Sequence, residues 1–362
     1  MNSNLFRTTI TAMLLLAASA CLANAKSAPP ILEQQLGRFI YFDKHLSNPV
    51  GQACASCHLP KAGYADPDQE LPVSEGAVTG LFGGRNSPSS AYAAYSPIFG
   101  KDPVTGLYIG GQFWDGRAAT LEEQAKGPFL NPVEMNNTKE GVVQAVRNSN
   151  YARFFEYVYG PGSLDDTESA YDLIAKAIAS FERSNQVNKF TSKYDFYLKG
   201  KVALTAQEQS GLALFNGKGN CSACHPSTSV DGITPPLFTD FSYDNLGVPA
   251  NMEYPFYLMD PSPYPDYGLG KIVGETAQDG KFKVMTLRNI ALTAPYSHNG
   301  YFKTLKDIVH FYNTRDILGV WPAPDVAENV NKIEIGNLGL TPQEEDDIVA
   351  FLMTLSDGFL CK

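Results

Sequence analysis

Positive charge is in short supply in this chain. Its 362 residues carry 28 Lys and Arg against 38 Asp and Glu, a net charge of −10. That balance argues against a nucleic-acid ligand and against a polybasic membrane anchor, and it favours a basic or locally basic protein partner. Long apolar runs are missing as well. The most apolar stretch, Met13-Leu14-Leu15-Leu16-Ala17-Ala18, falls well short of the roughly 20 residues a membrane-spanning helix requires. No segment shows the alternation of a convincing extended sheet. Histidine is scarce, with five in all (His45, His58, His225, His298 and His310), and there are six cysteines.

Four of those cysteines stand in two copies of one pentapeptide, Cys54-Ala55-Ser56-Cys57-His58 and Cys221-Ser222-Ala223-Cys224-His225. Cys-x-x-Cys-His is the attachment pattern of c-type haem. The two thiols form thioethers to the two vinyl groups of one porphyrin, and the histidine lies beneath the iron as its proximal ligand. The competing readings are a structural zinc half-site and a redox dithiol. Zinc would need further Cys or His ligands close by in the chain, which neither motif has. A dithiol needs no histidine at a fixed distance. Two covalently bound haem c groups are therefore expected.

The N-terminus agrees with this. Arg7 precedes the apolar run, and Ala23-Asn24-Ala25 offers a small-x-small cleavage site before Lys26. Residues 1–25 thus read as a cleavable signal peptide, and covalent haem attachment takes place outside the bacterial cytoplasm. Periplasmic localisation is expected. Cys21 raises a rival reading as a lipoprotein acceptor, but the position three before it is an alanine rather than a larger aliphatic. Cys361 is left as a tail thiol with no assigned role.

The chain is long enough for two compact domains. Ahead of the first haem motif, residues 31–40 place apolar side chains at helical spacing. Ahead of the second, Thr205-Ala206-Gln207-Glu208 forms a capping box that opens a helix through Leu212, Leu214 and Phe215. Between them, residues 165–184 read as an amphipathic helix. A last helix is marked by Thr341 as its cap, Pro342 in the first turn and Glu344 closing the box. Helix, short loop and haem motif occur twice. The expectation is an all-α protein, mainly helical with long loops, built from two cytochrome-c-like haem domains over residues 26–188 and 189–362. The Gly- and Pro-rich stretches 59–108 and 226–281 would wrap the cofactors.

No histidine occurs between His58 and His225, so the first haem has no distal histidine available from the segment that follows its motif. Its far side should be open to water or a small oxidant, the mark of a reactive haem. His45 sits in what reads as a solvated turn. For the second haem the candidates are Met252, Met259, Met285, His298, His310 and Tyr312. Residues 304–312 look helical, and at about 100° per residue His310 and Tyr312 point to nearly opposite faces. Only one of the two can meet the haem, and spacing alone does not choose.

Several further segments carry a family resemblance. They are Gly111-Gln112-Phe113-Trp114-Asp115-Gly116-Arg117-Ala118, Leu121-Glu122-Glu123-Gln124-Ala125, Asn131-Pro132-Val133-Glu134-Met135, Val284-Met285-Thr286-Leu287-Arg288-Asn289 and Thr293-Ala294-Pro295-Tyr296-Ser297-His298-Asn299-Gly300. From Ile31 to Leu355 the chain resembles the bacterial dihaem cytochrome c peroxidase family, and within it the MauG branch more closely. The resemblance implies that Tyr312, where ordinary members carry methionine, is the distal ligand of the second haem. It also implies that Trp114 lies between the haems and that Gln124 and Glu134 form the distal pocket of the first. Asn86, with the backbone carbonyls of Thr293 and Pro295, would bind an inter-haem Ca²⁺, an ion suited by hard oxygen donors. Ordinary members carry a distal histidine after the first haem motif; this chain does not, so its first haem should be open without prior reduction.

Two functions follow from that resemblance. One is an H₂O₂-dependent peroxidase fed with electrons by a small c-type cytochrome or a cupredoxin, with the −10 charge steering a basic donor. The other is a MauG-like oxidase of aromatic (Trp) side chains in a protein substrate, since an anionic phenolate at Tyr312 favours higher oxidation states of iron. A non-catalytic dihaem carrier would want both irons six-coordinate, which the missing distal ligand opposes. Whether the chain dimerises, as many relatives do, is left open by its sequence.

Overall fold

The computed structural model describes residues 29–253, 255 and 264–360. The expected signal segment, Cys21, Met259 and Cys361 lie outside the described residues. The α-helices run α1 Pro30–Tyr41, α2 Cys54–Cys57, α3 Leu121–Leu130, α4 Lys139–Arg147, α5 Ala152–Tyr159, α6 Thr167–Glu182, α7 Lys193–Leu198, α8 Ala206–Asn216, α9 Leu269–Val273, α10 Leu305–Thr314 and α11 Pro342–Leu352. Their starts are written in the sequence. Thr205 and Glu208 cap α8, Thr341 and Glu344 cap α11, and Thr304 and Asp307 cap α10 with the same reciprocal box. Each box satisfies orphan amides that would otherwise be left at the helix start. Helix α6 is capped by Asp166, whose carboxylate accepts from the Ser169 amide at 2.8 Å.

Extended pairing is confined, among the described residues, to two-residue antiparallel ribbons and isolated bridges. Strand β1 Gly100–Lys101 pairs β2 Tyr108–Ile109, and β3 Tyr243–Asp244 pairs β4 Phe282–Lys283. These small ribbons are the one addition to an otherwise helical reading. The first exists because Asp102 accepts the Val104 and Thr105 amides and closes a tight turn.

Most buried apolar side chains fall into two clusters, one drawn from residues 36–187 and the other from 194–355. Each cluster is organised by one helix crossing. In the first, α1 lies so close to α6 that a Cβ at Gly37 would overlap the Ala177 carbonyl oxygen, with Phe181 beside it. In the second, a Cβ at Gly211 on α8 would overlap the Asp347 carbonyl oxygen on α11, with Phe351 beside it. Glycine permits both approaches because it brings no side chain. The repeated helix and haem motif thus has a repeated three-dimensional counterpart.

Several buried links join the clusters. The Lys283 amide donates to the Trp114 carbonyl at 2.8 Å and the Tyr243 hydroxyl to the Gly110 carbonyl at 2.6 Å. Arg85 pairs with Asp266 at 2.7 Å, and the Tyr92 hydroxyl donates to Asp357 at 2.7 Å. These links set the two haem motifs on either side of a shared wall.

Candidate haem sites

Each pentapeptide forms a single tight turn. Cys54–Cys57 is one helical turn, with the His58 amide donating to the Cys54 carbonyl at 3.0 Å. Cys221–Ala223 is a 3₁₀ turn, with the His225 amide donating to the Cys221 carbonyl at 2.9 Å. This folding brings both thiols and the imidazole of each motif to one cavity. His58 Nδ1 lies 3.3 Å from the Tyr64 carbonyl and His225 Nδ1 2.7 Å from the Phe238 carbonyl. A carbonyl can only accept, so Nδ1 carries the proton and the Nε2 lone pair is left for a metal. Burial lowers the pKa of both imidazoles and favours the neutral, ligating form.

The cysteines behave accordingly. None of the four is in a disulfide, and burial pushes each thiol up to about 12. A redox dithiol depends on a depressed thiol pKa, so this environment opposes that reading and suits thioether attachment. Near the second motif, Asp244 and Glu334 approach Cys224, their ligand atoms lying within 4.8 Å of one another. The Asn331 amide bridges the two carboxylates. Sequence spacing showed no such neighbours for Cys224, because they come from 20 and more residues away.

The cavity of the first motif measures about 570 Å³ and is lined by Cys54, Cys57, His58, Gln124, Glu134 and Trp114. Gln124 is carried on α3, which starts at Thr120, whose hydroxyl accepts the Glu123 amide at 3.3 Å. Glu134 follows α3 and accepts from Asn131 Nδ2 at 2.7 Å. Burial raises the Glu134 pKa, and the Asn131 hydrogen bond and the Arg117 charge offset this only in part. Among the described residues His58 is the one histidine lining this cavity. His45 sits on the exposed turn expected for it, tied to Asp43 at 2.8 Å.

The second cavity, about 220 Å³, is lined by Cys221, Cys224, His225, Tyr312, Met285 and His298. Helical geometry turns His310 and Tyr312 to different surroundings. His310 turns outward to Glu345 at 2.9 Å, while Tyr312 faces the cavity. Burial raises the Tyr312 phenol pKa most, and the nearby Cys221 and Cys224 add to it. Met252 is 62 % exposed and drops out as a candidate.

Trp114 and Asn86 line both cavities. The indole Nε1 donates to the Asn86 carbonyl at 2.8 Å. Asn86 Nδ2 donates to the Pro72 carbonyl at 3.1 Å, which leaves its Oδ1 for another partner. Thr293 and Pro295 line the second cavity, as Asn86 does.

Several buried polar groups lie here, of which sequence reasoning had singled out His298 and missed the others. Arg85 bridges Asp115 at 2.6 Å and Asp266 at 2.7 Å. Lys283 Nζ donates to the Gly111 carbonyl at 2.6 Å, and burial lowers its pKa to about 7. The His298 ring stacks on Phe282 with centroids 3.6 Å apart, and its Nε2 has no partner. Glu182 is buried in the first cavity's wall. Arg85 and Lys283 directly adjoin motif residues, a signal that could have marked them. Glu182 sits inside an amphipathic helix and gave none.

Comparison with known proteins agrees with this geometry. The family profile described as di-haem cytochrome c peroxidase matches residues 32–203. Methylamine utilization protein MauG of Paracoccus denitrificans is 37% identical over 341 residues, covering 89% of this chain and 88% of that protein. Cytochrome c551 peroxidase of Pseudomonas aeruginosa is 34% identical over 310 residues, covering 83% and 78%. The crystal structure of the diheme peroxidase BthA from Burkholderia thailandensis superposes with a TM-score of 0.80 at 32% identity, covering 92% of this chain and 89% of that one. The chain belongs to the di-haem cytochrome c peroxidase family, oxidoreductases that act on hydrogen peroxide and that include MauG.

Proposed function

We propose that this enzyme reduces H₂O₂ to water in the cavity beside His58, using electrons that a small c-type cytochrome or a cupredoxin delivers to the site of His225. The observation that carries this reading is the lining of the larger cavity. A pinned, neutral imidazole, a buried carboxyl and an amide share it, and no second histidine among the described residues competes for the metal. Bound haem c, one per motif, supplies the iron that receives peroxide and stores oxidising equivalents. The chain supplies the proton chemistry. Glu134 accepts a proton from one peroxide oxygen and returns it to the other, and Gln124 donates from its amide to orient the molecule. Trp114 spans the wall between the cavities and gives electrons a ring to cross.

Tyr312 is assigned as the distal ligand of the second iron. In support, it faces the cavity that holds Cys221, Cys224 and His225, whereas His310 does not. Asn86 Oδ1 with the Thr293 and Pro295 carbonyls is assigned to Ca²⁺, which takes oxygen donors of this kind. The two core clusters support a division into haem domains 26–188 and 189–362. Residues 1–25 are assigned as an export signal to the periplasm. No helix among the described residues is long and apolar enough to cross a membrane.

A second reading is a MauG-like oxidation of aromatic side chains in a partner protein. The inward-facing Tyr312 favours it, because a phenolate stabilises higher iron oxidation states than a thioether does. Stopped-flow addition of H₂O₂ to the diferric protein, with and without reduced small c-type cytochrome, separates the two. Rapid catalytic oxidation of the cytochrome without pre-reduction supports the peroxidase. A long-lived oxidised protein that ignores the cytochrome supports the second reading. No reaction with peroxide overturns both and leaves an electron carrier.

A further inference from the structure

Glu182 ends α6 with 4% of its surface exposed, in the lining of the first haem cavity beside Tyr41, Cys54 and Ile178. Its Oε2 has no hydrogen-bond partner. A buried carboxyl without partners is costly when ionised, and such groups in native structures call for an explanation. The groups around it offer no counter-charge. Tyr41 on α1 and Cys54 on α2 are neutral at ordinary pH, and both have their own pKa raised by burial first and by Glu182 next. Arg183, whose charge reaches Glu182, is turned to Glu122 of α3 at 2.5 Å, so its charge is already balanced. Burial, against the Arg183 charge, pushes Glu182 up to about 8. The proton chemistry assigned to Glu134 and Gln124 leaves this buried carboxyl of the cavity unused.

We propose that Glu182 is the redox-linked proton site of the first haem, taking up a proton when the iron at His58 gains an electron and releasing it when that electron leaves. The proposal rests on the reading of His58 as an iron ligand. The balance is simple. One electron from the donor enters the iron, and one proton from solvent converts the carboxylate to the acid; oxidation reverses both. The physical link is charge. A ferric haem carries one more positive charge than a ferrous one, so it favours the carboxylate, and its reduction favours the acid. Cys54, where the haem would attach, lines the same cavity as Glu182, so that charge would act on the carboxyl.

The test is redox-induced infrared difference spectroscopy on the holoenzyme, paired with potentiometry of the first haem across the range around pH 8. A pyridine haemochrome assay on the same sample counts covalent haem. The expected result is a protonated-carboxyl band that shifts in D₂O, and a potential that falls as pH rises. In Glu182→Gln the band disappears and that pH dependence is lost. A wild-type spectrum without such a band, or a Glu182→Gln protein that keeps both signals, overturns the proposal while leaving the haem reading intact. Absence of covalent haem overturns both. The wild-type band and its deuterium shift need no variant, so a Glu182→Gln protein that fails to fold does not shelter the idea.

Discussion

At the scale of the residue, Glu134 and Tyr312 carry the sharpest consequences. Burial holds Glu134 above the ordinary carboxylate range. It must be ionised to accept a proton from peroxide, so kcat/KM should fall as pH drops through a value above the roughly 4.3 of a free glutamate. Glu134→Gln should cost about 10²- to 10⁴-fold in kcat/KM and erase that acid limb, read from pH profiles of peroxide turnover. Tyr312→Met should raise the potential of the second haem, because thioether ligation favours the reduced iron. If aromatic side chains of a partner are the substrate, the same variant should lose their oxidation; retention of that activity would remove Tyr312 from the role.

At the scale of the element, the crossings of α1 with α6 and of α8 with α11 are the points of least tolerance. A methyl at Gly37 or Gly211 meets backbone rather than a movable side chain. Gly37→Ala and Gly211→Ala should each destabilise by about 1–3 kcal/mol, seen as a lower Tm in thermal unfolding followed by circular dichroism. The caps are worth less. Thr341→Ala removes one arm of the α11 box and should cost about 1 kcal/mol. These elements were legible in the sequence, since caps and apolar spacing are local. The ribbons of β1 to β4 were not, because two-residue strands leave no periodicity to read.

At the scale of the whole molecule, stability depends on ion pairs between segments distant in sequence. Burial alone would raise the Asp266 pKa, but the Arg85 guanidinium more than reverses this and holds it at about 2. A depressed folded-state pKa contributes stability that is fully present above the unfolded value of about 3.9 and is lost as pH falls through about 2. The contribution is about 2–3 kcal/mol. Asp266→Asn should therefore lower stability at neutral pH and flatten its loss in acid, measured by urea unfolding between those limits. Arg288 is a second such tie. It is fully buried, paired with Asp195 at 3.0 Å, and lies over the Tyr92 ring at 4.9 Å.

The haem-attachment motifs, the helix starts and the two faces of α10 were decided by the sequence alone, because each depends on residues within a few positions of one another. The tertiary structure decided which face of α10 meets a cavity and which atoms of His58 and His225 are left for iron. It also placed Trp114 and Asn86 in the lining of both cavities and left Glu182 Oε2 without a hydrogen-bond partner. Those outcomes depend on contacts between segments scores of residues apart, on burial that no local pattern reports, and on carbonyls such as those of Tyr64 and Phe238 whose direction is set only when the loops close around the motifs.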